Sequence, residues 1–126
     1  MSGIATPIGR PIPAFEQGDI VRVPFPYTDR DTRQRRPALV VSSGGIGEDA
    51  ALLWVVMITS AENRPWIDDI EIPDHASAGL PAPSVVRPVK IDTVEAGHVE
   101  PIGKLSDEVK QLVIRRIAGI LTTTPR

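Results

Sequence analysis

Between two apolar runs the chain reads "YTDRDTRQRRP", which crowds Arg30, Arg33, Arg35 and Arg36 together with Asp29 and Asp31. A guanidinium is planar, always charged, and offers its N–H groups as a fork that fits two phosphate oxygens at once. Several of them in one loop make a site for a phosphate backbone, with RNA as the expected strand. The formal net charge of the chain is -2, whereas dedicated nucleic-acid binders are more often basic. Salt screens exposed charges beyond roughly 8–10 Å, so a local cluster can still be positive on a mildly acidic protein. Pro37 keeps Arg36 out of helical geometry and fixes its base at the entry to the following strand.

The elements around this loop must position it. With 126 residues, 41% hydrophobic and 24% charged, the chain has the length and composition of one globular domain. We expect residues 1–17 to form a proline-rich arm and residues 18–126 a single domain. Cysteine is absent, which excludes disulfides, thiolate metal sites and cysteine nucleophiles and fits a reducing cytoplasm. No apolar run approaches a membrane span, and the N-terminus lacks a secretion-signal pattern, so no membrane contact is expected.

Val21, Val23 and Phe25 alternate as in a half-buried strand, and Pro24 and Pro26 predict an edge position or a sharp bend. "ALVVS" reads as the next strand. "ALLWVVMIT" reads as a central strand buried on both faces, with Trp54 in the core; Thr59 and Ser60 close it. "DIEIP" is a further short strand. "SVVRPVKIDTVEAGHVEPIGKL" is rich in β-branched residues, with breaks or bulges expected at Pro88 and Gly97. The period then becomes helical: Val109, Leu112, Val113, Ile117, Ile120 and Leu121 share one face, Ser106 suits the N-cap, and Asp107 and Glu108 suit the positive end of the dipole. This pattern predicts a small, mostly β barrel or curled sheet closed by a C-terminal helix.

The ordered set of GD before a strand, RP after an arginine-rich loop, Thr-Ser closing the central strand and GKLS before the helix resembles the MazF/PemK toxins of type II toxin–antitoxin systems. The resemblance spans roughly residues 16–121. It implies an SH3-like antiparallel β barrel of the MazF/PemK/CcdB kind with a C-terminal α-helix. It further implies a homodimer held inactive by a cognate antitoxin, acidic and partly disordered. The implied activity is cleavage of single-stranded RNA without a metal or other cofactor, leaving a 2′,3′-cyclic phosphate and a 5′-hydroxyl and so inhibiting translation and growth. Two other readings stay open: a non-catalytic toxin of the same fold that poisons gyrase, and a degenerate member that binds RNA or antitoxin without cutting.

Internal attack on RNA requires loss of the 2′-hydroxyl proton, stabilisation of charge on the phosphate and protonation of the leaving 5′-oxygen. By resemblance Arg36 is the catalytic arginine and Thr59 the catalytic hydroxyl; the alternatives are a surface salt bridge for Arg36 and a strand-end cap for Thr59. Ser60 could assist Thr59. Where some relatives carry a glutamate as base, this chain offers Asp29 and Asp31 amid arginines, which lower a carboxylate's basicity. Asp31 can serve catalysis or hold Arg36 or Arg33 in place. Arg30, Arg33 and Arg35 are expected to grip the strand or to be solvated loop charge. Tyr27 and Trp66 are candidates for stacking on unpaired bases, and Phe25 is expected in the core. His75 and His98 lie in separate loops and form no metal motif.

Overall fold

The computed structural model describes residues 14–24 and 35–123. Six strands form one sheet: β1 (Asp19–Pro24), β2 (Arg35–Val40), β3 (Leu52–Ser60), β4 (Ile70–Glu71), β5 (Ser84–Glu95) and β6 (Glu100–Lys104). They lie in the order β4-β5-β3-β2-β1-β6, and every pair is antiparallel. Helix α1 (Asp107–Leu121) follows. This is the mostly β, curled sheet with a C-terminal helix that the sequence pattern predicts.

The sheet is apolar on both faces. Along β2 and β3, Leu39, Val56 and Ile58 join Ile20, Val86 and the helical Val109 and Val113 in one cluster. The alternate residues Ala38, Val40, Leu53, Val55 and Met57 join Val21, Val23, Phe15, Ala96 and Val99 in a second. Each such side chain taken fully out of water contributes about 1.5–3 kcal/mol before the entropy of ordering is subtracted. Because both sets are buried, a one-residue slip of β2 against β3 would set each against the wrong cluster. At the N-terminal edge, Phe15 is already buried and Lys104 Nζ donates to Glu16 Oε1 at 2.9 Å.

Three expectations are corrected. Of the two alternatives for β1 the edge position fails, since β1 pairs with both β2 and β6, with a register shift between Ile20 and Val21 on the β6 side. Its ladder to β6 ends at Arg22 and only the β2 ladder reaches Pro24, so the missing N–H interrupts nothing on the β6 side. Trp54 is not core but 47% exposed, and it lines an apolar groove of about 780 Å³ with Val41, Ile91, Ile117 and Leu121. The helical face is shorter than its period suggests: Val109 and Val113 are buried, whereas Leu112, Ile120 and Leu121 are exposed. The helix's C-terminal Ile117 and Leu121 line the same groove as Trp54 of β3 and Ile91 of β5. Its start is as expected, with Ser106 Oγ accepting from the Val109 N–H at 3.3 Å.

The expected irregularities fall close to where the prolines and glycines mark them. Register shifts between Val56 and Met57, opposite Ile91 and Arg87, leaving residues 88–90 of β5 as a bulge at Pro88. Gly97 lies in the 3-10 turn Ala96–His98. The connection after β4 packs against β6 where Gly103 meets the Ala78 carbonyl, and a methyl group there would overlap that oxygen. Overpacking at such a point costs about 1–3 kcal/mol, so Gly103→Ala should lower the thermal melting temperature, and an unchanged melting curve would contradict this account of the sheet's closure.

Candidate nucleic-acid interface

β2 and β3 carry the residues singled out for chemistry. Ala38 pairs with Met57, Leu39 with Val56 and Val40 with Val55. The ladder ends at Ala38 and Met57, and each strand runs two residues further, to Arg36 and Thr59. Side chains alternate along a strand, so Arg36 shares the face of Ala38 and Val40, and Thr59 shares that of Met57 and Val55. Both faces belong to the second cluster. Arg36 is exposed, Thr59 half-buried, and the Arg36 backbone is also held on its other side, in the ladder to Val23 of β1.

The alternation separates the remaining candidates. Arg35, paired with Pro24, projects to the face opposite Arg36. Ser60 likewise turns away from Thr59, and its Oγ accepts from the Glu62 N–H at 3.1 Å, which caps the turn leaving β3. Tyr27, Phe25, Asp29, Arg30, Asp31 and Arg33 lie outside the described residues. His75 sits in the connection after β4 and His98 in the turn before β6, where its Nε2 lies 3.5 Å from Glu95 Oε1. Among the described residues no three His, Cys, Asp or Glu side chains gather where a metal could bind.

The segment between β3 and β4 is tied down by contacts that the sequence pattern does not reveal. Asn63 Nδ2 donates to Thr59 Oγ1 at 2.6 Å. Arg87, in β5 opposite Met57, places Nε 3.0 Å from Asp69 Oδ1 and Nη2 2.9 Å from Asp69 Oδ2. The same Nη2 donates to the Arg64 carbonyl at 3.1 Å. The Trp66 ring lies against this guanidinium, 4.2 Å from centroid to carbon, and remains 45% exposed. One face of Trp66 is therefore occupied, and stacking on a base falls to what is left. From the helix, Arg116 Nη1 reaches the Asp68 carbonyl at 3.2 Å, where Asp68 takes a positive φ of 73°, a region that aspartate tolerates better than most residues.

Sequence reading missed Arg87 and Asp69. An arginine inside the β-branched run "SVVRPV" was a signal, because a charge in a buried strand needs a partner; its partner in "DDIEI" could not be chosen from spacing. Glu71 was also passed over. It pairs with Val85, which pairs with Thr59, so this exposed carboxylate shares the Thr59 face at roughly 10 Å, two strand spacings.

The Arg87–Asp69 pair is largely dry, with side chains 9% and 11% exposed. The hydrogen bonds from Arg87 hold the Asp69 carboxyl below its ordinary range, helped by the Trp66 N–H and opposed by burial. A folded value below the unfolded one, about 3.9, stabilises the fold above that pH. The contribution disappears as pH falls through the lowered folded value. Removing one partner of a buried pair costs roughly 3–5 kcal/mol. Asp69→Asn should therefore lower the melting temperature at neutral pH and flatten the acid decline in stability below about pH 4, as read from melting curves across pH; an unaltered acid slope would contradict the pairing.

With this geometry in view, known proteins give it a context. The family model described as PemK-like, MazF-like toxin of type II toxin-antitoxin system matches residues 16–121. Among solved structures, MazE-MazF from Deinococcus radiodurans is similar with a TM-score of 0.68 at 20% identity, over 88% of this chain and 98% of that one. The Mycobacterium tuberculosis toxin MazF-mt6 gives 0.60 at 19%, over 82% and 95%. An endoribonuclease in complex with its cognate antitoxin, from a mycobacterial species, gives 0.64 at 17%, over 89% and 98%. No curated protein matches. At these identities the solved structures establish a shared fold. The family match covers nearly the whole chain, and the protein belongs to the PemK-like, MazF-like toxins of type II toxin–antitoxin systems.

Proposed function

We propose that this toxin is a metal-independent endoribonuclease that cuts single-stranded RNA at the Arg36–Thr59 face. The observation that supports the reading is the β2–β3 pairing of Ala38 with Met57, two residues short of Arg36 and Thr59, which by strand alternation share the face of that pair. In the reaction the 2′-oxygen attacks phosphorus and the bond to the 5′-oxygen breaks. The products are a 2′,3′-cyclic phosphate and a 5′-hydroxyl. The Arg36 fork binds the non-bridging oxygens as charge gathers on them, and the Thr59 hydroxyl donates to the same group.

The proton of the 2′-hydroxyl passes to a carboxylate, for which Asp31 and Glu71 are the candidates, and the leaving oxygen takes up a proton. Arg30, Arg33 and Arg35 give affinity through backbone phosphates, so binding weakens with salt. The protein works as a cytoplasmic homodimer and is silenced by an acidic, partly disordered antitoxin segment laid over the same positive site. The antitoxin named in complex with a structural relative supports that partner.

The test is an end-chemistry assay on a defined single-stranded RNA in the presence of a chelator. Wild-type protein should cut it to cyclic-phosphate and 5′-hydroxyl ends. Arg36→Ala should lose about 10²–10³ in rate, the usual cost of one preorganised charge-stabilising donor. Cleavage by that variant at the wild-type rate would overturn the assignment, and a requirement for added metal would overturn the metal-independent step.

A further inference from the structure

Thr59 is a neutral alcohol with one proton to give and lone pairs that can accept. Which of these it presents to a bound phosphate is decided by its neighbour. Asn63 Nδ2 donates to Thr59 Oγ1 at 2.6 Å, so a lone pair of the hydroxyl is already occupied and its proton is turned away from Asn63. We propose that Asn63 is a positioning residue that fixes Thr59 as a hydrogen-bond donor to the scissile phosphate. The inference rests on the reading of Thr59 given above.

Asn63 is well placed to do this because its own backbone is held on both sides. Its N–H donates to the Ser60 carbonyl at 3.1 Å, and the Ala61 N–H donates to the Pro83 carbonyl at 2.9 Å. The Glu62 N–H is taken by Ser60 Oγ at 3.1 Å. One residue further on, the Arg64 carbonyl accepts from Arg87, which is locked onto Asp69. The largely buried guanidinium thus fixes one end of the turn and β3 the other. An amide on a turn held this way keeps its direction, and direction is what the hydroxyl needs.

The choice of side chain is chemically specific. An ionised carboxylate of the same shape at position 63 would accept only. It would draw the Thr59 proton toward itself and leave a lone pair facing the phosphate, where repulsion replaces attraction. Asn63→Asp should therefore be worse than Asn63→Ala, which leaves the hydroxyl intact and free to turn.

The experiment uses the full chain and single-turnover cleavage of the defined RNA by wild type, Asn63→Asp, Asn63→Ala, Thr59→Val and the Asn63→Asp/Thr59→Val double variant. Circular-dichroism melting verifies that each is folded. Asn63→Asp should reduce kcat by about 10²-fold, the scale of one lost donor, with KM little changed. The double variant should cut no more slowly than Thr59→Val alone. Asn63 is the only asparagine in the chain, so labelling asparagine with ¹⁵N gives a single side-chain amide pair, and Thr59→Val should shift it in the free protein. The assignment is overturned if Asn63→Asp keeps the wild-type kcat, if its penalty persists in the Thr59→Val background, or if the amide pair ignores Thr59→Val. A folded wild type that cuts no RNA would overturn the proposed function itself, and this role with it; an active wild type with an indifferent Asn63→Asp overturns the positioning role alone.

Discussion

Side chains alternate along a strand with a period of two, so a one-residue slip between β2 and β3 would exchange the faces of Arg36 and Arg35. What prevents the slip is burial on both sides of the sheet. Leu39, Val56 and Ile58 are committed to the helix side, while Ala38, Val40, Leu53, Val55 and Met57 are committed to the other. Shifting one strand would place each set against the wrong neighbours. The apolar residues of these strands thereby fix the face on which Arg36 and Thr59 emerge.

The Arg87–Asp69 pair works by a different principle. A guanidinium in a mostly buried strand is a cost unless its donors are met and its charge is opposed. Here both carboxylate oxygens of Asp69, the Arg64 carbonyl and the Trp66 ring meet it. The result is a link between β5 and a segment that has little apolar surface with which to hold itself. Together with Arg116 on Asp68, it turns an exposed, polar connection into a fixed frame beside the end of β3. Stability and site geometry share one set of contacts, so weakening the pair affects both.

Charge on this molecule is a local property. The net value of -2 would argue against a polyanionic ligand if it were spread evenly. Several described cations are paired with nearby carboxylates: Lys104 with Glu16 and Asp19, Arg22 with Glu100, and Arg87 and Arg116 with aspartates. Exposed charges interact over roughly a Debye length of 8–10 Å. A positive rim at the end of β2 is therefore compatible with an acidic chain.

The sequence by itself determined the periods: alternation in the strands, a helical repeat after Ser106, and breaks at Pro88 and Gly97. Those periods gave the mostly β class with its closing helix, because they reflect which side chains leave water. Arg36 before Pro37 and Thr59 at the end of β3 were singled out as a candidate site by the family resemblance, not by the periods. Tertiary structure alone decided what depends on the arrangement of whole elements. Trp54 is exposed at an open groove between the sheet and the end of the helix, and β1 is internal because β6 returns to pair with it. Leu112, Ile120 and Leu121 are exposed although they share the helical period, and Leu121 lines the same open groove as Trp54. The pairing of Arg87 with Asp69, and the seat of Asn63 on Thr59, were likewise decided by proximity in space. Local pattern records a residue's tendency to be buried; which partner it meets is set by the path of the chain around it.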